Sequence, residues 1–282
     1  MPPGSGSWAS GALCCLATLR SEARLERAPA HLSRPETLRP VHAVKPQPAV
    51  VVAPAAALAE RWKAHCVAAA RAAAAERGRY ALAVPGGSVA ERFLPVLVAS
   101  DMDWSRVELF FCDERCVPPE SPDSNFGTVS RLLVGSLADH APRVHRMEGE
   151  NPDPARAARD YGDALRLMLG APPVLDMVLL GVGEDGHVAS LFPGRPSLAA
   201  LDSVVLVEDA APKPPARRLT LSLGVLAGAR EVVVAAFGRS KAAALADALR
   251  DPVSALPLAL VLRRAARASV LIDEEAASGL GG

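Results

Sequence analysis

The chain has 282 residues, 50% of them hydrophobic and 22% charged, enough to bury one large α/β core or two small ones. Its 31 basic and 31 acidic residues cancel, so nothing in the overall balance points to nucleic acid or a membrane surface, and any anion recognition must be local. The five cysteines are odd in number and lack a Cys-x-x-Cys spacing, so neither a disulfide framework nor a structural zinc site is expected, and a reducing cytoplasm is the default compartment.

Residues 1–47 differ from the rest. They hold Pro, Ser, Gly and five arginines, with an apolar patch at 9–19 too short to span a bilayer and without a basic leader. Glu22, Glu26 and Glu36 argue against an organellar transit peptide. The stretch is expected to be a disordered extension, followed by one catalytic α/β domain over residues 48–282.

From residue 49 onward, strand and helix patterns alternate, which predicts a layered sheet with helices on its faces. A strand over 49–52 leads to a helix opened by Pro54, with Leu58, Trp62, Cys66 and Ala69 as its apolar stripe. The strand 80–84 empties into Pro85-Gly86-Gly87-Ser88, and a helix over 89–98 follows, with Pro95 kinking or shortening it. A helix N-terminus offers unpaired N–H groups and the positive end of its dipole, and glycines before it admit an anion close to the backbone. A strand at 107–112 then delivers Asp113-Glu114-Arg115, and Ser124-Asn125-Phe126 opens a helix to about residue 134. An arginine aimed into the same cleft as a glycine-serine turn would pair with phosphate or carboxylate oxygens.

After a helix at 153–169, the apolar run 174–180 reads as a strand buried on both faces, and it ends in Gly181-Val182-Gly183-Glu184-Asp185-Gly186-His187. The three glycines satisfy the dinucleotide signature, but Pro193 and Pro196 follow where that signature needs a long helix, so no nicotinamide site is expected. Beyond the loop come a strand near 204–207, the segment from Lys213 to Thr220 with Arg218, a strand over 232–237, and Gly238-Arg239-Ser240-Lys241 starting a helix through 249. Lys213, Arg218 and Lys241 are thus cations at element ends. His187 alone among six histidines lies in a strand-end glycine loop, and an imidazole titrates near neutrality, which suits a general base. Asp185 or Asp113 would orient it, and backbone N–H groups or Arg115 would steady an oxyanion. Ser88 and Ser190 lie in no Gly-x-Ser-x-Gly elbow, so a serine nucleophile is not expected.

Taken in order, Pro85-Gly86-Gly87-Ser88, the segment from Phe111 to Pro118, Ser124-Asn125-Phe126, the loop from Gly181 to His187, Ser190-Leu191-Phe192-Pro193 and Lys213-Pro214-Pro215 closely resemble the 6-phosphogluconolactonases, over about residues 48–275. The family usually has serine where this chain has Pro85, and often tyrosine at Phe126. The resemblance implies a Rossmann-like, mostly parallel sheet with helices on both faces, shared with glucosamine-6-phosphate deaminases and ribose-5-phosphate isomerases. It implies hydrolysis of 6-phospho-D-glucono-1,5-lactone, without metal or cofactor; the enzyme is expected to be a monomer or small homo-oligomer in the cytoplasm. The family's water-activating histidine maps onto His187. Its phosphate site maps onto the turn Gly86, Gly87 and Ser88, onto Arg115, and onto Lys213, Arg218 or Lys241. The related deaminases continue their Asp-Gly-His loop into Phe-Asn-Glu-Pro, where this chain has Ser190-Leu191-Phe192-Pro193, which favours the hydrolase. A sugar-phosphate sensor would bring a DNA-binding module, and the first 47 residues show no such pattern.

Overall fold

The computed structural model of the chain describes residues 47–200 and 202–281, so the extension expected over residues 1–47 falls outside them except for Gln47. Ten strands are formed among the described residues: β1 (Ala49–Val52), β2 (Tyr80–Val84), β3 (Val107–Phe111), β4 (Asp113–Arg115), β5 (Arg143–Val144), β6 (Met177–Gly181), β7 (Val205–Glu208), β8 (Arg218–Leu221), β9 (Val232–Ala236) and β10 (Ala268–Ile272). Seven of them make one sheet in the order β1-β10-β9-β6-β2-β3-β5 with every neighbour parallel, and β4-β8-β7 make a small antiparallel sheet. The layered α/β sheet anticipated from the alternation, with the Rossmann-like, mostly parallel arrangement that the resemblance implies, is therefore the fold.

The period of two explains why the central strands read as continuous apolar runs. On β2, Tyr80, Leu82 and Val84 point into one core while Ala81 and Ala83 point into another; Met177 and Leu179 of β6, and Val233 and Ala235 of β9, join the first, and their alternating neighbours join the second. The first core is closed by the helix Ala55–Arg77 through Leu58, Trp62 and Cys66, and by Phe93 and Leu97. The second is closed by the helices Pro154–Leu169, Ala242–Arg250 and Pro257–Arg264 and by Leu219 and Leu221 of the small sheet. Full burial of such side chains contributes roughly 1.5–3 kcal/mol each, and both faces being covered suits a parallel sheet.

Several boundaries differ from the sequence expectation, for local reasons. The helix expected at 89–98 begins at Gly87, so that Ser88 lies inside its first turn, and it breaks into Gly87–Phe93 and Pro95–Val98 because Pro95 has no N–H to give. The central strand starts at Met177 rather than 174, since the Asp176 carboxylate accepts the Ala81 N–H (2.8 Å) and pairs with Arg77 and Arg230. The residues Asp113, Glu114 and Arg115 are a strand of the small sheet, and the helix after Ser124 passes from α to π geometry at Ser130. The strand near 204–207 is β7, antiparallel to β8, and β8 begins in the segment from Lys213 to Thr220, where no element is expected from sequence.

Chain order sets the position of the site. From β2 the chain moves outward to β3 and β5, then returns to place β6 on the other side of β2 and continues away through β9 and β10. The connections after β2 and β6 thus diverge and leave a crevice at the carboxyl ends of these strands, the place where open α/β sheets bind ligands.

Candidate active site

A cavity of about 180 Å³ fills that crevice, lined by the turn Pro85 to Val89, by Asp113, Arg115 and Asn125, by Gly181, Val182, His187 and Ala189, by Arg218, by the end of β9 and by Lys241. Eight of the residues anticipated from sequence meet there: Gly86, Gly87, Ser88, Asp113, Arg115, His187, Arg218 and Lys241. Asp185 stands behind His187 rather than on the wall. Lys213 is exposed and does not line the cavity; its main-chain carbonyl accepts a hydrogen bond from Arg218 Nη2 (2.9 Å).

The loop after β6 is a closed hydrogen-bonded turn rather than a helix start. Gly183 N–H donates to the His187 carbonyl (2.8 Å) and Gly186 N–H to the Gly183 carbonyl (3.1 Å), which is why a dinucleotide signature is present without its helix. Gly183 is required by close approach: a Cβ there would lie 2.0 Å from His187 Nδ1. Across that bare backbone Asp185 Oδ1 meets His187 Nδ1 at 2.6 Å. The carboxylate accepts, so Nδ1 carries the proton and the lone pair of the neutral ring sits on Nε2. Burial would raise the Asp185 carboxyl, but the His187 charge and hydrogen bonds outweigh it and hold the group below the usual aspartate range. Phe192 packs 4.6 Å from the imidazole and limits its swing.

The opposite wall is cationic. Antiparallel pairing sets Arg115 of β4 directly across from Arg218 of β8, a like-charge pair that costs stability unless an anion joins it. Neither guanidinium makes a carboxylate ion pair among the described residues. Arg115 donates to the Asp123 carbonyl and keeps its Nε buried without an acceptor; Arg218 donates to the carbonyls of Pro215 (3.0 Å) and Lys213 (2.9 Å) and stacks 5.8 Å over Phe192. Burial pushes the Arg218 guanidinium's pKa down, with Asp113 pulling it up and Arg115 pushing it down. Burial likewise lowers Lys241, against the pull of Glu184, 3.9 Å away.

Asp113 and Glu114 are adjacent but do different things. Glu114 is buried, and its two oxygens accept from the backbone N–H groups of Arg115, Asn125 and Phe126 (each 2.7 Å) and from the Ser124 hydroxyl (3.1 Å), so it fastens the start of the helix Asn125–Val129. Burial raises its carboxyl, while the three backbone bonds pull the other way. Asp113 has no bond to His187; its oxygens accept from Ser190 Oγ (2.6 Å) and Asn125 Nδ2 (3.0 Å).

Residues 53–271 match the family model of glucosamine-6-phosphate isomerases/6-phosphogluconolactonase, which is most of the chain. The chain belongs to that family. It is 39% identical to the 6-phosphogluconolactonase of Rattus norvegicus over 208 residues, 71% of this chain and 80% of that protein. It is 35% identical to the 6-phosphogluconolactonase of Streptomyces coelicolor over 221 residues, 74% of this chain and 85% of that protein. Among solved structures, the 6-phosphogluconolactonase of Trypanosoma brucei superposes with a TM-score of 0.74 at 29% identity, covering 83% of this chain and 99% of that one.

In this family member, sequence reasoning missed Asn125 as a wall of the cavity. It lies one residue after the N-cap Ser124, whose hydroxyl accepts from Gly127 N–H, and it packs so tightly on Gly86 that a Cβ there would lie 1.8 Å from its Oδ1. The available signal was position: a polar residue beginning a helix at the same sheet end as the glycine-serine turn. Among the described residues no helix is long and apolar enough to cross a membrane.

Proposed function

We propose that this chain hydrolyses 6-phospho-D-glucono-1,5-lactone to 6-phospho-D-gluconate, the second step of the oxidative pentose phosphate pathway, with His187 as general base and Arg115, Arg218 and Lys241 gripping the phosphate. One observation carries the reading: a single small cavity sets an imidazole with a free Nε2 against guanidiniums whose hydrogen bonds go only to carbonyls. Relatives of that name at 35–39% identity support it.

The chemistry closes with water and one imidazole. A water oxygen forms its bond to lactone C1 as Nε2 takes the water's proton, and the carbonyl electron pair moves onto oxygen. Asp185 stabilises the imidazolium that results. When the carbonyl re-forms, the C1–O5 bond breaks, and the imidazolium proton passes to the leaving ring oxygen, which becomes the C5 hydroxyl. The acid then ionises. Each proton and electron pair is accounted for without a metal or cofactor. Backbone N–H groups steady the oxyanion, and the turn Gly86, Gly87 and Ser88 joins the cations at the phosphate. Phosphate held by the cations aligns C1 with the base, so remote binding energy serves the reacting centre. The reading further takes the enzyme to act in the cytoplasm, as a monomer or small homo-oligomer.

Acid release from freshly made 6-phosphogluconolactone, corrected for spontaneous opening and run beside ammonia release from glucosamine 6-phosphate, tests the proposal. Lactone turnover well above the spontaneous rate with no ammonia is the expected result; ammonia without lactone turnover would replace the hydrolase by a deaminase.

A further inference from the structure

Ser190 is fully buried three residues after His187, and the loop between them takes a costly shape. Ala189 has φ of 49°, a left-handed conformation that a residue with a Cβ rarely adopts, inside the turn closed by the Leu191 N–H to Val188 carbonyl bond (2.9 Å) and just after the Gly183–His187 backbone bond. Such a turn persists only where its surroundings hold it. Both polar groups of Ser190 do so by reaching the small sheet: its N–H donates to Thr220 Oγ1 (3.2 Å) and its hydroxyl to Asp113 Oδ2 (2.6 Å).

Asp113 and Thr220 are directly opposite each other in the β4–β8 ladder, and two positions along the same ladder stand Arg115 and Arg218. The pair of strands that presents the cations therefore also grasps the loop that presents the base. The Asp113 carboxylate is itself fixed, since its other oxygen accepts from Asn125 Nδ2. A hydrogen bond to a buried carboxylate is among the stronger ones available, and it links residues 77 apart in sequence.

We infer that Ser190 is a positioning residue: its bonds to Asp113 and Thr220 set the separation between His187 Nε2 and the arginine pair, so that a substrate anchored by its phosphate presents C1 to the base. This rests on the lactonase reading, and it makes Asp113 a holder of the loop rather than a proton-transfer group. Ser190 touches no substrate; it acts through His187.

The test is Ser190→Ala, with kcat, the affinity for 6-phosphogluconate and the pH profile measured on folded protein. A misplacement of about 1 Å costs on the order of a hundredfold, so kcat should fall about ten- to a hundredfold. Product Kd should stay within about threefold, because the cations are untouched. The acid-side midpoint of the profile should not move, because the Asp185–His187 contact is retained. Thr220→Val, which keeps shape and removes the acceptor for the Ser190 N–H together with the hydroxyl's own bond to the Leu221 carbonyl (3.1 Å), should show the same pattern more weakly, and it decides the matter if Ser190→Ala does not fold. A folded variant with kcat within about twofold of wild type, or with kcat and product affinity lost in parallel, overturns the inference. Failure of the reaction itself looks different: the wild-type chain would then leave lactone opening at its spontaneous rate, and both readings would fall together.

Discussion

The loop after β6 and the short strand β4 leave the main sheet at the same end and face one cavity, yet they handle charge in opposite ways. In the loop, Asp185 is given to His187, at 2.6 Å, and the pair is half-exposed. On β4 and β8 the arginine side chains donate only to carbonyl oxygens, although Glu208 lies opposite Arg218 in the β7–β8 ladder. Arg217 shows the contrast one residue away: strand alternation turns it outward, where it pairs with Asp209 at 2.9 Å, while Arg218 turns inward and stays unneutralised. Neighbouring acids are engaged elsewhere: Glu114 by peptide N–H groups, Asp113 by Ser190 and Asn125, and Glu208 by Ser197, the Ala210 N–H and Arg195. In the function proposed above, the anion site is made as much by keeping carboxylates occupied elsewhere as by assembling cations.

Breaking the loop side should have the largest effect. His187→Asn cannot accept the water's proton, and kcat is expected to fall by about 10²- to 10⁴-fold with 6-phosphogluconate binding largely retained, as measured by corrected acid release and calorimetry. Asp185 has its carboxyl held low, so its contribution to the wild-type reaction is present above its depressed pKa and is lost as pH falls through it, read as a fall in kcat/KM at acid pH. A variant with near-normal kcat would remove His187 from the reaction.

Breaking the cation side should cost less and be selective. Hydrogen bonds to a charged group contribute roughly 1.5–3 kcal/mol, so Arg115→Ala should lower kcat/KM on the phosphorylated lactone by about ten- to a hundredfold. Plain gluconolactone should be nearly unaffected. Equal losses on both lactones would move Arg115 to the oxyanion or to the fold.

The carboxylates sharpen the comparison further. Glu114→Gln puts an NH₂ group against N–H donors where a carboxylate oxygen accepts them, so stability should drop by about 1–3 kcal/mol, read as a lower denaturation midpoint. The folded variant should keep its kcat within severalfold, since Glu114 bonds only to backbone N–H groups and the Ser124 hydroxyl. The smallest effect is expected from deleting residues 2–45: all strands, and all cavity residues among those described, lie at or beyond Ala49, so activity and Tm should be close to those of the full chain. A fall of several degrees would make the segment part of the folded domain.

Much of this was legible along the chain. Strand-end motifs such as Pro85 to Ser88 and Gly181 to His187 advertise themselves, because buried parallel strands are apolar runs and a glycine-rich turn with a lone histidine at their ends is a local pattern. The alternation of elements likewise determined the layered sheet, and six motifs in order determined the family. The partner of His187 was not decided by sequence, since Asp113 and Asp185 are both acids at strand ends. Tertiary structure chose Asp185, two residues away across a glycine backbone, and tied Asp113 to Ser190 instead. Nor do the four-residue β8 and three-residue β4 carry enough period to be read as strands, yet their antiparallel register alone brings Arg218 opposite Arg115 and leaves Lys213 outside. Local spacing fixes what a residue offers to its own turn; which distant donor satisfies a buried carboxylate, and which cation is left without one, depends on pairings between segments whose sequences do not record each other.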